Sequence, residues 1–322
     1  MQAYLDIVEE TMDGDRQQNR TGIDTFAVPN IEFKHNMADG FPLPTTKKLA
    51  FKSTRVELEG FIGGITSKEW YTKRNCNIWN QWANPEVVEE HVSEHAEYMG
   101  DSDVLDDEDY RKLMQLQTDD LGPIYGYQWR RFNQPYENIK VTDKLRPENQ
   151  PYDQLTTIVR TLKTNPNDRR LVCSAWNPLQ IHQMALPPCH VDFVVTAING
   201  HISLHWTQRS CDLMLGVPFN IASYAMLLLL LAKDSGLKPY MLTGMLCNCH
   251  IYENQIEAAE EQISRFPMES PTVEILDNKA KYQALEIGFG DAPFSIFSWE
   301  HDDVKISNYK PYPKIDFGEV AV

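Results

Sequence analysis

The chain of 322 residues is 42% hydrophobic, 24% charged and 11% aromatic, with a formal net charge of −16. That is the composition of a globular protein with a sizeable core, and the negative balance argues against a general affinity for nucleic acid or an anionic membrane. The longest apolar run, AMLLLLLA at 225–232, is far too short to cross a bilayer, and the N-terminal MQAYLDIVEE lacks the basic and apolar regions of a secretory leader.

Residues 1–12 place Leu5, Ile7, Val8 and Thr11 with helical spacing. TFAVPNIEFKHN alternates as a strand does, and TTKKLAFKSTRVELEGFIGG reads as a strand running into a helix. Residues 86–120 then hold 13 acids against Arg111 and Lys112, so −11 of the net charge belongs to this one insert. It is expected to be a helical or partly mobile excursion on the surface of a single domain spanning 1–322. DQLTTIVRTLKTNPNDRR predicts an amphipathic helix stopped by Asn-Pro. LVCSAW, VDFVVTAI and HISLHWTQ read as strands, the last two joined by a hairpin turn at Asn199-Gly200. FNIASYAMLLLLLAKDSG predicts a long buried helix closed by Gly236, and TVEILD and FSIFSWEHDDVKISNY predict late strands. The fold class is α+β: one mixed sheet with surrounding helices.

The six cysteines are too irregular for a disulfide framework, which points to a reducing cytoplasm. CNC at 247–249 finds no second pair at metal-binding spacing, so no metal is expected. MALPPCH at 184–190 is different in kind: two prolines stiffen the approach to Cys189. Taken alone, this is a buried cysteine at a strand start. TQRSCDLMLGVPFNIASYA at 207–225 sets Arg209, Ser210 and Asp212 at a strand end, then runs through Gly216 and Pro218 to Asn220. Arginine, serine and a turn make an anion grip. NPNDRR adds Arg169 and Arg170, and NRTG adds Arg20; each is bland alone, a solvated pair and a turn.

Together these blocks, with DGFPLPTTKK, DLGPIYGYQWR, SAWNP, HIY and the tail ISNYKPYPKIDFGEVAV, resemble the thymidylate synthase family in order and spacing across nearly the whole chain outside 86–120. The resemblance implies a homodimer with sheets packed back to back. It makes Cys189 a nucleophile toward C6 of dUMP, with Arg209 supplying the positive charge a thiolate needs. Arg20, Arg209 and Ser210 would hold the 5′-phosphate, joined by Arg169 and Arg170 from the second subunit. Asn220 would read the O4 and N3–H edge of uracil, where aspartate marks relatives acting on cytosine nucleotides; in isolation it reads as a helix cap. His250 and Tyr252 would bond the sugar hydroxyl, Glu57 would organise proton transfer, and Tyr125 would help remove the C5 proton. Lys47, Trp79, Asp212, Gly216 and Val322 would face 5,10-methylenetetrahydrofolate. His190 is an orienting neighbour rather than a base.

Two stretches depart from the family pattern. ELEGFI puts Glu59 and Gly60 where leucine and tryptophan are usual, and LCNCH puts Leu246, Cys247 and Asn248 where Gly-Gly-Asp is usual. Loss of the indole at position 60 would make room for an ordered water, and Glu59 is expected at a solvated helix position. Reductive methylation to dTMP is the leading expectation. Hydroxymethylation of dUMP, with water capturing the new methylene, is the alternative, and an inactive binding paralogue is the third.

Overall fold

The structure, a computed structural model, describes residues 1–19, 21–86, 88–89, 117–136, 140–145, 153–277 and 294–318. Arg20, Val322 and nearly all of the acidic insert therefore lie outside the described residues.

The fold is α+β, built on a mixed seven-stranded sheet in the order β1-β2-β7-β5-β4-β3, with β6 alongside β7. The strands are β1 (Asp15–Gln17), β2 (Thr25–Asn36), β3 (Val172–Ser174), β4 (His190–Ile198), β5 (His201–Gln208), β6 (Cys211–Asp212) and β7 (Lys238–Tyr252). β4 and β5 form the hairpin at Asn199-Gly200, while β5 and β6 both run parallel to β7. Two further strands, β8 (Thr272–Ile275) and β9 (Val304–Ser307), pair apart from this sheet.

The helices lying wholly within the described residues include α1 (Gln2–Met12), α2 (Phe51–Gly63), α3 (Lys68–Thr72), α4 (Tyr125–Arg131), α5 (Gln154–Thr164), α6 (Gly216–Ser235) and α7 (Ile256–Ser264). α6 is long and apolar enough to cross a membrane by length and composition, yet it is the central core helix. Ile221, Ala222, Ala225, Met226, Leu227, Leu228, Leu230 and Leu231 are all sealed from solvent against α2, α5 and the sheet. Burying an apolar side chain of this size stabilises by roughly 1.5–3 kcal/mol, so this helix anchors everything its N-terminus presents.

Period-two burial gives the sheet two unlike faces. Ile202, Leu204 and Trp206 of β5 point into the core, while Ser203, His205 and Thr207 alternate with them on a half-exposed face. Val172, Val194 and Ile198 share that open face.

Two expectations change. The strand expected at TTKK, running into α2, does not form; residues 41–50 are irregular, and Pro42 and Pro44 ahead of it have no backbone N–H to give a ladder. The stretch 294–309 is a strand only over Val304–Ser307. The Ser295 hydroxyl caps a helical turn at Ile296–Ser298, and the Asp303 carboxylate accepts from the Glu300 N–H.

Candidate active site

Cys189 stands half-buried at the mouth of β4. Its backbone is pinned from both sides: its N–H donates to Tyr125 Oη at 2.7 Å, and its carbonyl accepts from the Arg209 N–H at 2.8 Å. The Arg209 side chain donates to the carbonyls of Pro188 and Pro187, each at 2.9 Å. The proline pair thus offers fixed carbonyls that seat the guanidinium beside the thiol. Burial pushes the thiol above its ordinary pKa, and Arg209 and Tyr125 pull it only partway back. Next to it His190 is sealed, bonded through Nδ1 to the Tyr224 hydroxyl at 2.8 Å, and stacked on Tyr125 with centroids 4.2 Å apart. Burial lowers its pKa to about 3, so the ring is neutral.

A second wall comes from α2 and α4. Glu57 is buried, and desolvation raises its pKa to about 8, with the Trp79 indole offsetting part of the rise. The indole N–H itself is buried without a completed hydrogen bond. Tyr125 begins α4, is buried against Phe61 and Trp79, and has its phenol pushed well up by burial beside Cys189 and Glu57. It is a neutral hydroxyl whose oxygen accepts the Cys189 N–H.

The third wall is the start of α6. Asp212 accepts from the N–H groups of Met214 and Leu215 at 3.0 and 2.9 Å, turning the chain into Gly216. Asn220 makes no cap. Its Oδ1 accepts from Gln208 Nε2 at 3.0 Å, and the same Nε2 donates to the Ser210 carbonyl at 3.1 Å. Gln208, beside Arg209 in sequence, was not among the expected site residues; its buried amide is the hub here. Lys47 donates to the Met214 carbonyl and lies 4.1 Å from the Phe317 ring of the C-terminal tail. Burial lowers its pKa to about 7, against the pull of Asp212. Asp212 is itself raised by burial, with its backbone donors, His250 and Lys47 opposing.

His250 pairs with Asp212 across β6 and β7, with Tyr252 packed edge-on at 5.4 Å. Asn248, at φ 48°, brings its carbonyl and Oδ1 to 2.8 and 3.0 Å from His250 Nδ1. A carbonyl only accepts, so Nδ1 carries a proton and donates to Asn248. Arg169 and Arg170 lie elsewhere, exposed after α5. Arg170 is paired to Asp168 at 2.8 Å, and among the described residues no contact joins either arginine to Cys189 or Ser210.

The two departures at α2 resolve differently from expectation. A Cβ on Gly60 would meet the Tyr71 ring at 2.3 Å, so a phenol, not open space for water, fills the place of the indole. Glu59 is buried rather than solvated. Its carboxylate meets Lys144 Nζ at 2.8 Å and the ring and N–H of His301 at 2.6 and 2.8 Å.

The thymidylate synthase family model matches residues 2–322. The thymidylate synthase of Mycoplasma genitalium is 36% identical over 329 aligned positions, covering 100% of both chains. That of Phytoplasma mali is 37% identical over 273 residues, 84% of this chain and 88% of the relative. The bifunctional dihydrofolate reductase-thymidylate synthase of Paramecium tetraurelia is 36% identical over 97% of this chain, which spans 60% of that relative.

Proposed function

The chain belongs to the thymidylate synthase family, and from that premise we propose that it methylates dUMP at C5 to give dTMP. The observation that carries the reading is Cys189 held between Tyr125 and Arg209, with the Asn220 amide fixed by Gln208. Arg209 and Ser210 receive the phosphate, with Arg20 of the NRTG turn, and its negative charge draws the guanidinium toward the thiol's end of the pocket. Cys189 Sγ adds to C6 of the pyrimidine, which makes C5 nucleophilic. Asn220 Oδ1 keeps a lone pair for uracil N3–H, and its Nδ2 donates to O4. Tyr125, a neutral phenol, relays the C5 proton rather than holding it. Glu57, protonated up to about pH 8, donates toward the ring oxygen.

Trp79, Asp212 and Lys47 are the residues that would face the folate in this reading, with Lys47 4.1 Å from the Phe317 ring of the C-terminal tail. When bound, 5,10-methylenetetrahydrofolate supplies both the one-carbon unit and the hydride. The tail over Lys47 excludes water, and the Tyr71 ring removes the room beside Gly60 that hydroxymethylation needs. Both support reduction. A homodimer completes the site in this reading. The open sheet face carries Val172 and Ile198, 46% and 66% exposed, and a second copy seated there would bring Arg169 and Arg170 to its neighbour's phosphate. The six free thiols suit a cytoplasmic protein.

Purified protein should release the C5 hydrogen of dUMP only with 5,10-methylenetetrahydrofolate present, and dihydrofolate should appear in equal amount by absorbance. Hydrogen release with tetrahydrofolate as the sole folate product would replace methylation by hydroxymethylation. No release at all would end the enzymatic reading.

A further inference from the structure

Trp206 lies on β5, two residues before Gln208, and is wholly shut off from solvent. Its ring stacks on Tyr224 with centroids 5.1 Å apart and meets Phe33 at 5.9 Å, so it has one place to sit. Its indole Nε1 donates to Gln208 Oε1 at 3.2 Å. An indole N–H can only donate, so the Gln208 atom facing it has to be the oxygen. The amide nitrogen then points the other way, where its two hydrogens meet the Ser210 carbonyl and Asn220 Oδ1.

This chain of donors matters because the two pyrimidines present mirrored edges. Uracil offers O4 as an acceptor and N3–H as a donor; cytosine offers an amino donor and an N3 acceptor. A freely turning Asn220 amide would serve either base by exchanging Oδ1 and Nδ2. Turning it here sets Nδ2 against Gln208 Nε2, donor against donor. Turning Gln208 as well would break its bond to Ser210 and leave the Trp206 N–H facing another N–H in a buried place, which is costly.

We propose that Trp206 is a specificity-setting positioning residue: acting through Gln208, its indole N–H holds Asn220 in the orientation that accepts uracil and disfavours cytosine. The inference rests on the reading of this site as a dUMP site. It assigns Trp206 no part in the chemical steps, and Ser210 supplies the second, independent hold on Gln208.

The test compares dissociation constants of dUMP and dCMP by calorimetry on the full chain, without folate. Trp206→Phe removes the donor but also leaves a void. A benzothienylalanine placed at 206 keeps the shape and replaces the N–H with sulfur. In both variants the preference for dUMP over dCMP should fall by roughly 10-fold, the worth of one buried hydrogen bond, through tighter dCMP binding. A packing defect alone weakens both nucleotides equally, so an unchanged ratio in the benzothienyl variant overturns the proposal. A wild-type protein that binds both nucleotides alike overturns the uracil reading and this inference together, and the unmodified protein alone reveals that failure.

Discussion

Glu57 and Glu59 are two residues apart on one helix, both buried, and in opposite states. A step of two residues turns about 200° around a helix, so Glu57 faces Tyr125 and Trp79 while Glu59 faces the segment around His301. Among the described residues no cation stands beside Glu57, and desolvation raises its pKa to about 8. Burial would raise Glu59 too, but hydrogen bonds from His301 and the charge of Lys144 outweigh it and hold the group at about 2. Burial sets the direction for an acid left alone; a partner reverses it. The site keeps a proton that structure elsewhere gives up.

The difference predicts opposite linkage to pH. Glu57 ionises freely in the unfolded chain at its ordinary 4.5 but only near 8 when folded. Its stabilising effect is therefore complete below 4.5, and a penalty grows as pH rises toward 8, reaching on the order of 3 kcal/mol at pH 7. Glu57→Gln should remove that penalty, raising the thermal midpoint at pH 7, while cutting kcat by roughly 10²–10⁴-fold through loss of a proton donor. The parent should show a fall in kcat/KM near pH 8 as Glu57 ionises, and Glu57→Gln should erase it. A variant that keeps that limb would take the role from Glu57. Glu59 runs the other way: its contribution is present above 4.5 and lost as pH falls toward 2. Glu59→Gln should cost about 3 kcal/mol in denaturant unfolding at pH 7, flatten the acid limb of stability, and leave kcat within a few-fold.

The same helix shows what the sequence could say and where it stopped. Cys189, Arg209 and Asn220 were legible because each sits in a dense local motif, and the β4–β5 hairpin because Asn-Gly is a local turn signal. Glu59 misled because a charged helix residue is usually solvated, and its partners Lys144 and His301 are far along the chain. β7 was not anticipated as a strand, since Pro239, Gly244 and Asn248 all weaken that signal. Its glycine answers to another strand: a Cβ on Gly244 would lie 2.4 Å from the Trp206 ring. Gln208 went unread for a related reason. Its importance lies in what it touches, not in its residue type.

Gly60 sits between the two glutamates and tests whether the helix tolerates any change of spacing there. Its neighbour is the fully buried Tyr71 ring, whose hydroxyl donates to the Ile65 carbonyl at 3.3 Å. That ring has no free side to move to, so Gly60→Ala should destabilise by about 2 kcal/mol, read as a shift in the denaturant midpoint at unchanged slope. A neutral result would mean that Tyr71 moves aside, reopening the space that hydroxymethylation requires.

The smallest expected effect separates the two partners of Glu59. Lys144 keeps 27% of its side chain exposed, and His301 only 13%. Lys144 also donates to the Trp299 carbonyl at 2.8 Å, so its ammonium is shared. Water already weakens its attraction for the carboxylate, as it does for ion pairs near a surface. His301 reaches Glu59 through both its ring and its backbone N–H, contacts that survive when the ammonium is removed. Lys144→Met should therefore cost about 1 kcal/mol, clearly less than Glu59→Gln, and move the acid limb of the stability curve up only partway toward pH 4.5. Equal losses in the two variants would transfer the work of holding Glu59 ionised from His301 to the lysine.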